Sequence, residues 1–303
     1  MLHVEGPVAV RDRRLELSGC AAVSGGVLVV EDEVVGTVLH LNTPSGDAPE
    51  VTHIKLERKK KQRAPYAPRP KLFPIQDFED IASDRDGDVY LIGSHNGKEG
   101  ERRPDREFLL HAEWDRESAE LKVIGEQYAL LDSLAPVLDR LGCGIGLTAT
   151  EVSDALNIEG LAYNAGTLYI GLRSPLSADG KAIVVAASAR ALFDGDSPIP
   201  LDPIELDLSG GGIRALDWDS KSNMLLAISG PPIDGATAEA ALWHVDTSKA
   251  DATPLHTFSA EHARKQPEGV CRLSEADGAG LLVVLDGNAS ITGGGAELLT
   301  LTE

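Results

Sequence analysis

Three glutamates and one arginine recur at a single position of a repeated stretch. Glu159 sits near the start of "NIEGLAYNAGTLYIGLRSP", Glu79 takes that place in "DFEDIASDRDGDVYLIGSHN", and Glu268 takes it in "QPEGVCRLSEADGAGLLVVLDGN". Arg214 replaces them in "GGIRALDWDSKSNMLLAISGPP", and Cys20 holds the position in a fainter copy, "SGCAAVSGGVLVVEDE". Carboxylates brought to one point have two chemistries. Glu79, Glu159 and Glu268, with Asp286 and Asn288 nearby, supply the hard oxygens that Ca²⁺ takes about six to eight at a time. In that case Asp286 or His95 would act as general base and Arg173 or Arg214 would hold an anionic oxygen, a set suited to hydrolysing a lactone or a phosphoester. The alternative is structural: Glu79 and Glu159 pair with Arg214 and Arg173 and so satisfy the polar groups that line a channel. The sequence leaves both open.

Other chemical-looking residues read as scaffold. "DRDGD" (residues 84–88) has the acidic spacing of a calcium loop but occupies a hairpin turn and lacks the downstream bidentate glutamate. His40, His111 and His244 fall at one repeat position, which marks them as structural. His95 stands apart, beside Ser94 and Asn96 after a strand. "RKKKQR" reads as a solvated basic linker and "GCGIG" as a helix stop.

The elements that must position these residues follow from the same repeat. Each copy is an apolar strand, a turn and a second apolar strand, the strongest short-range hairpin signal. A third strand follows, aligned by "TVLHLNT", "FLLHAEWD", "ALWHVDT" and "ELLTLTE", and then a weaker fourth such as "PIELDLS". Four antiparallel strands at a fixed period describe β-propeller blades. Glu159 to Arg214 is 55 positions and Arg214 to Glu268 is 54. Five blades are countable, and six if "GPVAVRD" and the irregular pieces hide another. The chain therefore reads as one all-β domain over residues 1–303. A helical insertion at 126–156 falls between the second and third blades, with one helix in "EQYALLDSLAPVLDRLG" and a short second one opening at Thr148 and Glu151. The last copy has only three strands, so "RRLELSG" is expected to complete it, bringing Leu15 near Leu299. First strands line the channel of such a fold. The recurring position and the ends of the second strands then rim one mouth.

Composition bounds the partners. A formal net charge of −20 argues against nucleic acid. No apolar run has the length of a membrane span, and three cysteines without paired spacing suit a reducing compartment, the cytoplasm. A small-molecule ligand or a protein partner remains. The second makes the chain a non-catalytic interaction scaffold, binding through its rim loops and insertion.

The stretches "FEDIA…GDVYLIGSH", "LNIEGLAY…GTLYIGLRSPL", "GIRALDW" and "PEGV" resemble the bacterial β-propeller family filed as domain of unknown function 3616. The resemblance spans the chain from about Gly19 onward and implies the fold; it implies no activity. More remotely, the "EG" strand start is similar to phytase-like and gluconolactonase-type propellers, which implies channel carboxylates holding calcium. Arg214 departs from that pattern by placing a cation within the ring.

Overall fold

Wherever a turn separates two apolar runs, the chain folds as an antiparallel hairpin. The computed structural model of the protein describes residues 3–4, 16–31, 36–42, 50–57, 75–195, 198–274, 280–286 and 297–301. After the two-residue strand β1 (His3–Val4), the strands β2 (Leu17–Val23), β3 (Gly26–Glu31), β4 (Thr37–Asn42) and β5 (Glu50–Glu57) form one meander. A second comprises β6 (Phe78–Ser83), β7 (Asp88–Gly93), β8 (Leu109–Asp115) and β9 (Glu120–Gln127). After helix α1 (Leu130–Arg140) come β10 (Asn157–Asn164), β11 (Thr167–Ser174), β12 (Ala182–Ser188), α2 (Ala189–Asp194) and β13 (Asp202–Leu206). The rest is β14 (Gly212–Asp219), β15 (Met224–Gly230), β16 (Ala241–Asp246), β17 (Asp251–Thr257), α3 (Ala260–Arg264), β18 (Pro267–Leu273), β19 (Gly280–Leu285) and β20 (Glu297–Leu301). The meanders β10–β13 and β14–β17 are separate four-stranded sheets, whereas the first two join edge to edge where β5 and β9 run parallel.

The first strands β2, β6, β10, β14 and β18 pack on one another in a closed cycle, with β18 returning to β2. Hydrophobic clusters fill the spaces between successive meanders, so most strands are apolar on both faces; Val27 to Val30, for example, are all fully buried. This is a propeller-like arrangement. The expected N-terminal strand does close the last sheet, order β1-β20-β19-β18, but a different segment supplies it. His3 lies opposite Leu299, while Leu17 to Gly19 of "RRLELSG" belong to the inner strand β2; Leu15 lies outside the described residues.

The repeated polar position has a backbone cause. Every inner strand is irregular at the same place: the register against its hairpin partner slips across Ser18, Glu79, Glu159, Arg214 and Glu268. A bulge re-aims one side chain, and here it turns that side chain out of the packed interior. The first copy therefore aligns on Ser18 and not on Cys20, which is buried in the core with Cys271. The residue after each bulge is small or special: Gly19, Asp80, Gly160, Ala215 and Gly269. Asp80 is fully buried and accepts the amides of Ile81 (2.8 Å), Leu161 (2.7 Å) and Leu216 (3.2 Å), tying β6 to β10 and β14. Burial raises its carboxyl pKa against the opposing pull of those amides.

The histidine repeat is scaffold too. His40 bonds the Gly25 carbonyl, His111 the Asp88 carboxylate and His244 the Asp219 carboxylate, so each third strand holds its neighbouring hairpin. "DRDGD" is a turn closed by Asp84 Oδ1, which accepts the amides of Asp86, Gly87 and Asp88. In the insertion, α1 buries Leu130, Leu131, Leu134, Val137 and Leu138 between the second and third meanders. The second helix expected at Thr148 does not form. Thr148 Oγ1 caps a turn at the Glu151 amide (3.0 Å), and Glu151 bridges to Glu101 instead. Two outer strands carry a proline, Pro203 in β13 and Pro254 in β17, whereas β5 and β9 carry none.

Two changes test this frame. A Cβ at Gly19 would sit 2.7 Å from the Asp80 Cα; Gly19→Ala is expected to cost about 3 kcal/mol in chemical denaturation, because backbone must move. Asp217, on β14, has its carboxyl pushed up from 3.8 to about 6 by burial, against the Arg272 amide and Arg85. A raised folded pKa gives stability that is complete below about pH 3.8 and is lost as pH rises through about 6. Asp217→Asn should therefore flatten the fall in stability between pH 4 and 7, by at most about 3 kcal/mol.

Candidate functional site at the mouth of the inner strands

The bulges deliver their side chains to one cavity of about 780 Å³. Its wall includes Glu79, Glu159, Arg214 and Glu268 from the recurring position, together with Arg173 at the end of β11 and Asp286 after β19. These six of the seven sequence-predicted site residues thus stand together. His95 does not. It is fully buried away from this wall, its Nδ1 lies 2.8 Å from the Gly93 carbonyl, and its buried Nε2 has no hydrogen-bond partner among the described residues. Burial lowers its pKa. The segment 102–107 lies against the β7 end that carries it, where the Arg106 carbonyl accepts the His95 amide at 3.3 Å, and the His95 side chain does not line the cavity.

Arg214 is the centre of the site. Its side chain is 5% exposed; Nη1 lies 2.9 Å from Glu159 Oε2, and Nη2 pairs with Glu268 Oε1. Burial depresses its pKa; Glu159, Glu79 and Asp286 oppose that, and Arg173 adds to it. Glu159 is shared, its Oε1 accepting from Arg173 Nη1 at 3.0 Å and from Asn157 Nδ2 at 2.6 Å. Arg173 reaches further, donating from Nε to the Pro231 carbonyl (3.2 Å) and from Nη2 to Asp234 (2.7 Å). Burial works against the Arg173 charge, and Glu159 and Asp234 outweigh it, raising the pKa. Glu268 also accepts from Gln266 Nε2 at 3.1 Å.

A guanidinium fills the point between Glu159 and Glu268 where a cation would sit. Among the described residues no group of three or more His, Cys, Asp or Glu is placed to hold a metal ion. Glu159 and Glu268 are thus engaged by Arg214 in the place a cation would take between them. Asn288 lies outside the described residues.

Sequence reasoning missed Asn157, Asp234 and Gln266. Asn157 had a signal, since it precedes Glu159 by two along a strand and so shares its face. Asp234 had none, because it reaches Arg173 from the β15–β16 loop of another meander, 61 positions away.

The sequence itself matches the family described as "Protein of unknown function (DUF3616)" over residues 89–293. The chain belongs to the DUF3616 family. Comparison with curated proteins finds no match. Among solved structures, the major Malassezia sympodialis allergen Mala s 1 is similar at TM-score 0.51 and 11% identity, covering 94% of this chain and 92% of that one. A glucose dehydrogenase (TM-score 0.46, 12% identity, 96% and 99% covered) and a luciferin-regenerating enzyme (0.42, 12%, 92% and 72%) are similar at lower scores. At such identities the likeness to Mala s 1 speaks for the fold alone.

Removing one partner of a buried pair leaves the other charge uncompensated. Glu159→Gln is accordingly expected to lower stability by about 3 kcal/mol. Calcium should leave the melting temperature of both proteins unchanged, and a calcium-dependent rise in the wild type alone would restore the metal reading.

Proposed function

We propose that this DUF3616 protein is a single-domain, five-bladed β-propeller that binds a small polar ligand at the mouth of its channel. The blade count is supported by the closed cycle of first strands and by the five hydrophobic clusters between meanders. The ligand reading is carried by one observation. Arg214 is a buried guanidinium that nonetheless faces an open cavity, and it stands beside Arg173, a second fork suited to oxyanions. A cavity of that volume lies within the usual range for small-molecule sites, roughly 300–1,000 Å³.

The geometry supports binding further than it supports turnover. In a hydrolytic version, Arg214 or Arg173 holds the oxyanion of a lactone or phosphoester and Asp286, whose amide donates to the Gln266 carbonyl at 3.0 Å, removes a proton from water. The apolar stripe of α1 is buried, so it offers no docking face for the scaffold alternative. Among the described residues the exposed large hydrophobics Ile124, Ile233 and Leu255 lie on separate elements. No helix among the described residues is long and apolar enough to cross a membrane, and the free cysteines support the cytoplasm as the proposed location.

The test is a thermal-shift and hydrolysis screen with lactones, phosphoesters, sugar acids, amino acids and short peptides, run on wild type and on Arg214→Lys. Lysine keeps the charge and loses the fork. At least one compound is expected to stabilise the wild type, with affinity reduced about tenfold or more in the variant. A panel without a stabilising compound, or an equal shift in both proteins, overturns the reading.

A further inference from the structure

We infer that Asp234 is a resident stand-in for a ligand carboxylate, and that the cavity takes a zwitterion, a free amino acid or short peptide, whose carboxylate displaces Asp234 from Arg173. This rests on the reading of the cavity as a binding site.

The three bonds of Arg173 differ in how firmly they are held. The Glu159 partner is 6% exposed and is shared with Arg214 and Asn157. The Pro231 carbonyl is backbone. The Asp234 side chain is 99% exposed and still reaches Nη2 at 2.7 Å. An ion pair bathed in water contributes little to stability, so this bond is the replaceable one. It is carried by a short loop turned through Gly235 (φ +81°) and the Ala236 to Ile233 hydrogen bond, a segment that anchors no sheet. A carboxylate arriving from solvent meets Arg173 where Asp234 now does, and the fork geometry of arginine favours it.

The rest of the wall selects the other end of the ligand. Glu16, Glu79, Glu159, Asp234, Glu268 and Asp286 line the cavity against Arg173, Arg214 and Arg264. When a ligand carboxylate takes the place of Asp234 at Arg173, negative groups still outnumber positive ones. A ligand that brings its own ammonium group together with the carboxylate is matched at both ends. The wall also contains a waiting acceptor. Asn157 Oδ1 is buried and accepts no hydrogen bond among the described residues, although its Nδ2 donates to Glu159. An ammonium or amide N–H satisfies it.

Titration calorimetry with the proteinogenic amino acids and with di- and tripeptides tests the inference on wild type, Asp234→Ala and Arg173→Met. At least one probe is expected to bind the wild type. Removing the exposed competitor should tighten that binding about 3- to 5-fold, and Arg173→Met should weaken it about tenfold or more. Amidating the carboxylate or acetylating the amine of the same probe should weaken it comparably. The inference is overturned if no probe binds either wild type or Asp234→Ala, if the amide binds equally, or if Asp234→Ala changes nothing. Should a neutral lactone or a phosphoester instead stabilise the protein through Arg214 with Asp234→Ala neutral, the zwitterion falls and the binding site stands.

Discussion

Five strands meeting around one axis leave almost no room for side chains, and the rest of the molecule is arranged around that crowding. Where β2 approaches β6, a single methyl group on Gly19 would come within 2.3 Å of an Asp80 oxygen. Where β18 approaches β2, the hypothetical Cβ of Gly269 lies 3.0 Å from the Gly19 Cα. Glycine or alanine relieves the crowding in four copies. In the second, Asp80 uses the same proximity by accepting amides from two other inner strands. Such a carboxyl is tolerable in the interior only because its oxygens are hydrogen-bonded.

The bulge that precedes each small residue is the counterpart of this crowding. Lengthening one strand of a hairpin by a residue lets the next position face the axis while the bulged residue turns to the mouth. A charge at the head of a core strand is thus not buried in apolar packing. It is handed to a cavity where others of its kind are handed too, and with Glu79, Glu159 and Glu268 alone that would be a ring of like charges. Arg214 in the same repeat position converts repulsion into a shared network. Arg173 extends the network to Asp234 on a different meander.

Much of this was legible in the sequence. Hairpin turns, strand order, the insertion and the recurrence of charge at one register were visible because each depends on local spacing. The failures share a cause. Aligning the first copy on Cys20 instead of Ser18 ignored the bulge; the two positions are two residues apart, and a pattern of period two reads the same at both. The helix expected at Thr148 followed a capping signature that serves a turn equally well, since Thr148 Oγ1 accepts the Glu151 amide in either. His95 was placed at the rim because it follows a second strand, yet it is fully buried, with residues such as Arg106 packed against that strand end. Asp234 was invisible, because partnership across 61 positions leaves no local trace.

The pairing of β5 with β9 has a consequence for how copies of this protein meet one another in solution. An outermost strand offers a row of unused backbone donors and acceptors to any passing chain, and that is a route to fibrous association. β13 and β17 answer it with Pro203 and Pro254, residues that lack the amide a newcomer would need. β5 and β9 have no proline, and they instead meet each other through Leu56 with Leu121 and Glu57 with Lys122. Here the two borders are turned against one another where they meet, so that this part of each is closed to a stranger.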